Sequence, residues 1–435
     1  MSPEQAGIMG VCALFLLLAA SVPVALAMTV VGMLGFALVT GDAAAAAHMA
    51  SRDFFAVFTN YNLTVIPLFV FMGQVSFHSG ISKRLFTCAN CWLAGITGGL
   101  AMATVGACAA FGAICGSGPA TAATMATVTL PEMKRYGYSL ELGTGTVAAA
   151  GGLGMLIPPS VVFIVYGIMA EESIGRLFLA GVVPGLLITG LFCLTVYLNC
   201  KRNPGLAPPT RPHSVHEKVT SLVGTLEAVV LFAVVIGGMF LGFFTPTEAA
   251  AVGAAGAVLV AVVRRKLGWK AFRQSLRETA RTSCMVMTIV AGAMVFGHFL
   301  AVTRIPYTLA GWVGDLDLPR GVILGGVILF FLVGGCFVDA LALILLTVPV
   351  LLPVIHKLGY DPIWFGVIVV LVTQMGVISP PVGVNVYVVS GLERDVSLET
   401  VFKGAFPFLI ALVVGTVLIT LFPRLCLFLP ELMKG

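Results

Sequence analysis

Apolar residues in this chain come in long blocks separated by short polar punctuation. The blocks cover about residues 8–40, 54–80, 92–133, 143–170, 177–199, 221–243, 247–263, 283–303, 320–357, 362–391 and 401–429. Most fit one membrane crossing of roughly 20 residues. The blocks at 92–133 and 320–357 are too long for that, and each is interrupted near its middle, by Cys115-Gly116-Ser117-Gly118-Pro119 in one and by Gly334-Gly335 and Asp339 in the other. Each is therefore two spans or a hairpin that enters and leaves on one side. The blocks at 143–170 and 362–391 are cut by Pro158-Pro159 and Pro380-Pro381. Paired prolines remove two backbone donors and bend the preceding residue away from helix, so both blocks are expected to be broken helices.

The interruptions repeat. Leu130-Pro131, Gly137-Tyr138, Gly154 and Pro158-Pro159 recur as Leu352-Pro353, Gly359-Tyr360, Gly376 and Pro380-Pro381, always 222 residues later, and the same offset sets Ser117 opposite Asp339. Interrupted hydrophobic segments at matching places in two halves point to the binding site of a secondary transporter. The expected organisation is a first half at 1–199, a polar, Pro-rich cytoplasmic link at 200–220 and a second half at 221–435.

Composition agrees with a protein that lives in lipid. Of 435 residues 59% are hydrophobic and 10% charged, and the mean hydropathy is +1.06. The start lacks a basic leader region, so the block at 8–40 is expected to remain as the first span. The placement of the 24 Lys and Arg sets the topology. With a cytoplasmic N-terminus and two re-entrant hairpins, the inside receives Lys83, Arg84, Lys134, Arg135, Lys201, Arg202, Arg211, Lys218, the cluster in 264–281, Arg394 and Lys403. The outside keeps Arg52, Arg176, Arg304, Arg320, Lys357, Arg424 and Lys434, the bias that membrane insertion favours. An odd number of crossings then separates the hairpins, so the two halves are inverted. Residues 264–281 carry seven basic residues, either as an amphipathic helix on anionic lipid or as a solvated loop; lipid explains this charge more simply than nucleic acid does. Ten cysteines are scattered through apolar runs as packing residues, and Cys88-x-x-Cys91 lacks the partners a metal would need.

Chemistry is concentrated at the breaks. Proline cannot donate to the carbonyl four residues back, so Pro158 and Pro159 release the carbonyls of Gly154 and Met155, and Pro380 and Pro381 those of Gly376 and Val377. Unpaired carbonyls in hydrocarbon are costly, and a hard cation would satisfy them. The half-helix after each break presents the positive end of its dipole, which suits Ser160, Gly383 and Asn385 to an anion. Asp339 either coordinates a cation or caps the second arm of its hairpin. The Thr121, Thr124, Thr127 and Thr129 series is expected to bond back to its own helix. His298 is expected to be a packed, hydrogen-bonded residue, and Glu227 and Glu248 to face headgroups or a partner.

The segments IPLFVFMG (66–73), CGSGPATAAT (115–124), LPEMKRYGY (130–138), LGMLIPPS (153–160), FVDALALILLTVPVLLP (337–353), GYDPIWFG (359–366) and GVISPPVGVNVYV (376–388) together resemble the large membrane subunit of TRAP transporters. The resemblance implies an all-α polytopic protein of the bacterial inner membrane: an inverted-repeat, elevator-type importer of small organic anions with no cofactor beyond coupling sodium ions. It implies two partners, a small four-helix membrane subunit and a soluble periplasmic substrate-binding protein. Sodium is then expected at Ser117, Gly118, Gly154, Met155, Pro158, Asp339, Thr373, Gly376, Val377, Ser379 and Pro380. Substrate is expected at Asn62, Ser160, Pro159, Pro381, Gly383 and Asn385. The competing readings are a related carboxylate transporter that acts alone, a channel, and an intramembrane hydrolase built on Ser117, for which the chain offers no spaced base. No Arg in the breaks marks a particular cargo.

Overall fold

The computed structural model describes residues 2–208, 212–314 and 318–433; Arg211 and Lys434, two cations of the charge balance, lie outside them. Among these residues six helices are long and apolar enough to cross a membrane, and nine if each bent pair is one span.

The block at 8–40 is two helices, α1 (Pro3–Ala19) and α2 (Val24–Thr40), which corrects the expectation of one span. Between them Ser21 takes a left-handed φ of +62° and Pro23 sets the N-cap of α2, so the chain reverses and the helices pack together. Counting both as crossings moves the N-terminus to the side opposite the basic loops. The next block is also not straight. Asp42 caps α3 (Ala43–Thr59) through the N–H groups of Ala44 and Ala45, and a short turn at Tyr61–Thr64 leads into α4 (Val65–His78) at an angle of 54°.

After α5 (Ile81–Leu93) comes the first hairpin, α6 (Gly99–Cys115) and α7 (Gly118–Arg135). The first broken helix follows as α8 (Leu140–Gly151), α9 (Leu153–Leu156) and α10 (Val161–Met169), bent by 43°. Then α11 (Ile174–Arg202) crosses. The expected link at 200–220 is shorter than its composition indicated, because α11 runs into it and α12 (Val215–Val223) starts within it, closed by a reciprocal Ser214–Glu217 cap. Helices α13 (Leu226–Phe240) and α14 (Pro246–Val263) follow. The basic stretch is not a separate helix: α15 runs unbroken from Trp269 to Thr303, with α16 (Ile305–Gly314) after it. The second hairpin is α17 (Arg320–Phe337) and α18 (Ala340–Leu358), and the second broken helix is α19 (Pro362–Gly376) and α20 (Val384–Leu392). The described chain ends in α21 (Leu398–Leu421) and α22 (Arg424–Leu432).

The repeat extends from sequence to hydrogen bonds. Each hairpin ends on a left-handed glycine, Gly137 (φ +71°) or Gly359 (φ +78°). In the first repeat Gly137 N–H donates to Lys134 O at 3.0 Å and Tyr138 N–H to Met133 O at 2.9 Å; in the second Gly359 donates to His356 at 3.0 Å and Tyr360 to Ile355 at 3.2 Å. A glycine stop of this kind uses two otherwise orphaned carbonyls. Between the hairpins lie five crossings, the broken helix α8–α10 and then α11, α13, α14 and α15. An odd number brings the second repeat in from the opposite side, so the repeats are inverted.

Three polar residues read as surface or packing groups find protein partners. Glu227 accepts from Arg84 at 3.1 Å and from Arg264, tying α5, α13 and the end of α14 together in place of a headgroup contact. Glu248 closes a cap with Thr245 at the start of α14. His298 Nδ1 lies 2.7 Å from the buried carboxylate of Asp53, so the expected hydrogen bond is formed, but the ring is exposed and not packed in the interior.

Candidate functional site

The tips of the two hairpins meet in one cavity. Its volume is about 270 Å³, and its walls include Ser117 and Gly118 from the first tip, Asp339 from the second, and Met155 and Val377 from the two broken helices. Hairpin arms that crossed completely would leave their tips at opposite faces of the protein. Tips that share a cavity with mid-helix breaks are re-entrant.

Each tip residue starts the second arm of its hairpin. Ser117 is the N-cap of α7 and leaves its hydroxyl out of the cap. Asp339 is the N-cap of α18 and accepts the Leu341 N–H at 3.0 Å. Of the two roles open to Asp339, the cap is formed, and the residue lines the cavity.

The tips are bonded to the breaks. Val161 N–H donates to Gly116 O at 3.1 Å, and Val382 N–H donates to Cys336 O at 3.3 Å. Glycine lets the backbones approach: a Cβ on Gly112 would lie 2.7 Å from Gly154 Cα, and one on Gly376 would lie 2.4 Å from the Gly335 carbonyl carbon. Both proline pairs are joined by cis peptide bonds. Pro158 and Pro159 are buried, whereas Pro380 and Pro381 are exposed.

The expectation of four bare carbonyls is corrected at three of them. Met155 O accepts the Ser160 hydroxyl at 2.5 Å, Gly376 O accepts the Ser379 N–H at 3.1 Å, and Val377 O accepts the Asn385 N–H at 3.0 Å. The chain folds back just past each break and supplies the donors that proline removed. Gly154 stands apart, because Pro158 has no hydrogen to offer and two oxygens lie against its Cα. A Cβ on Gly154 would lie 2.6 Å from Thr121 Oγ1 and 2.9 Å from Ser117 O. Thr121 is fully buried beside the Cys115 thiol and its hydroxyl makes no back-bond, whereas Thr127 and Thr129 bond back to Thr124 O and Met125 O. The back-bonding expectation therefore fails at Thr121, which faces an oxygen-rich point beside the first tip. Its equivalent in the second repeat is Leu343, so the two halves differ in chemistry here.

Other expected residues are placed as follows. Thr373 and Ser379 are buried, with hydroxyls donating to Val370 O at 2.9 Å and Met375 O at 2.8 Å. Ser160 is the N-cap of α10. Asn385 is buried in the first turn of α20 and its Nδ2 donates to Ala148 O at 3.0 Å. Gly383, at φ +57°, starts that helix. None of these five lines the shared cavity, and Asn62 lines another one, with Glu171, Glu172 and Thr245. The shared cavity instead has Gln74 of α4 and Thr282 of α15 in its wall. Gln74 is a polar residue inside an apolar run, the same signal that marked Asp339, and sequence reasoning passed over it.

Comparison with known proteins accords with this architecture. Residues 11–425 match the family model for the tripartite ATP-independent periplasmic transporter, DctM component. A C4-dicarboxylate TRAP transporter large permease protein from Pseudomonas aeruginosa is 38% identical, with 86% of this chain and 87% of that one covered. A sialic acid TRAP transporter large permease protein from Vibrio cholerae is 34% identical over 96% and 97% of the two chains. The crystal structure of the Alcanivorax borkumensis YdaH transporter has the same fold, with a TM-score of 0.59, 16% identity and coverage of 84% of this chain and 88% of that one. With its inverted hairpins, paired broken helices and match across nearly the whole sequence, the chain belongs to the TRAP transporter large permease family and is a multi-pass inner-membrane protein.

Proposed function

We propose that this permease couples the uptake of a small organic anion to sodium entry, receiving the anion from a soluble periplasmic binding protein and working beside a small four-helix membrane subunit. The observation that carries this reading is the single cavity walled by both hairpin tips and both breaks. A cation can be held at the first tip, where Ser117 lines the cavity and Thr121 and Gly154 lie just behind its wall, with Asp339 contributing charge from the other tip. Oxygen donors of this type suit a hard alkali ion. An anion next to that cation gains attraction in a region where water is scarce.

The cavity also has two kinds of wall. Hairpins and broken helices form one, and Gln74 of α4 and Thr282 of α15 form the other. We read this as a boundary along which a transport block slides past a scaffold, an elevator. Relatives named for C4-dicarboxylate and sialic acid transport support an anionic cargo.

Proteoliposomes holding the permease and the small subunit, supplied with cognate binding protein and a panel of organic anions, test the proposal. Uptake of at least one anion should rise when sodium is higher outside. Uptake that ignores the sodium gradient would overturn the coupling.

A further inference from the structure

Helix α15 is longer than a membrane needs. Its 35 residues reach about 52 Å, against a hydrocarbon core of roughly 30 Å. The apolar part begins near Ser283, so the first two fifths of the helix run out through the headgroup region, with Arg277 and Arg281 nearest the hydrocarbon. Here Lys270, Arg273, Arg277 and Arg281 repeat at helical spacing along one stripe, all exposed. Ser275, Thr279 and Ser283, on the opposite face, are buried, and Phe272 on that side packs onto Phe71 of α4.

Among the described residues none of the four enters an ion pair, although Arg84 and Arg264 share Glu227, Lys134 reaches Glu393, and Lys403 reaches Glu399. The nearest acid in sequence, Glu278, is turned to His78 at 3.7 Å and accepts from Gln274. The stripe also sits at the wrong end of its helix, where the dipole already presents partial positive charge. With Trp269, 78% exposed, the four side chains line an open groove of about 860 Å³ along this one helix, shared with Gln274 and Glu278.

We propose that this face of α15 binds the phosphate headgroup of an anionic phospholipid in the cytoplasmic leaflet. Charge complementarity calls for an anion. The position at the end of an apolar span, with an indole exposed beside the cations as at membrane interfaces, selects a lipid over a soluble ion.

The full-length protein in phosphatidylcholine nanodiscs containing a minor fraction of phosphatidylglycerol, with bound lipid counted by native mass spectrometry, tests this. Phosphatidylglycerol should be enriched, and R273Q/R277Q/R281Q should weaken its binding by about fivefold for each cation removed. R273K/R277K/R281K should keep most of it, and binding to the unmodified protein should fall as salt rises. Equal retention by the glutamine variant, enrichment that ignores salt, or equal binding of phosphatidylcholine would overturn the proposal. So would displacement of the lipid by millimolar inorganic phosphate, which would mark a site for a free anion.

Discussion

Gly152 and Gln374 hold equivalent positions in the two repeats, 222 residues apart, and touch: a Cβ on Gly152 would lie 2.7 Å from Gln374 Cγ and 2.9 Å from its Nε2. Symmetry-related residues meet only where the axis passes, so the pseudo-two-fold runs between α8–α9 and α19. Filling that space should cost stability. Gly152→Ala is expected to destabilise by about 1–3 kcal/mol, the range for overpacking. Gln374→Ala in the same chain should recover most of the loss, and a double-mutant cycle of melting in detergent checks it. Additive effects would place the two residues out of contact.

Asp339 combines a cap and a charge, and two substitutions separate them. Asp339→Asn keeps an acceptor for the Leu341 N–H and removes the charge, so melting should hardly move while sodium-driven uptake is lost. Asp339→Ala should lose uptake and, in addition, about 1 kcal/mol of stability. Sodium-driven uptake by the Asn variant equal to that of the native protein would confine Asp339 to capping.

Ser160 should matter to the first break more than its size indicates. Its hydroxyl donates to Met155 O and accepts the Phe163 N–H at 3.4 Å. Ser160→Ala leaves a buried carbonyl without its donor and should destabilise by about 1–3 kcal/mol, whereas Ser160→Thr should stay close to the native midpoint. Thermal unfolding followed by tryptophan fluorescence separates the two.

The Glu227 cluster should outrank exposed pairs of similar geometry. Arg84 and Arg264 converge on one half-buried carboxylate, so Glu227→Gln is expected to cost about 2 kcal/mol, as for hydrogen bonds to charged groups. Lys403→Gln, which breaks the exposed pair with Glu399, should leave the midpoint in place.

The sequence made the site legible where it broke its own pattern. Asp339 and both proline pairs are expensive in lipid, and the constant offset of 222 residues between the proline pairs makes the repeat visible in the sequence. Three features were hidden. The turn between α1 and α2 rests on Ser21 and Pro23, too brief to interrupt an apolar run. The junction of the basic stretch with the span at 283–303 has no helix breaker, so two readings of one helix looked like two elements. The carbonyls behind Pro159, Pro380 and Pro381 seemed bare because the pattern of proline alone cannot reveal donors such as the Ser160 hydroxyl and the Asn385 N–H that return from beyond the break. Asn62 was chosen as a polar residue at a span's start, and the bend into α4 carries it to a different cavity.

The bonds from Val161 to Gly116 and from Val382 to Cys336, with the glycine contacts behind them, constrain how access can alternate. A hairpin that opened alone, like a door on its hinge, would have to part touching backbone and strip amides of partners in a dry interior, at about 1–3 kcal/mol for each group left bare. Carriage of tip and break together leaves those contacts intact. Joint movement of tip and break would therefore strip fewer amides than a hairpin opening by itself, in keeping with the elevator proposed above.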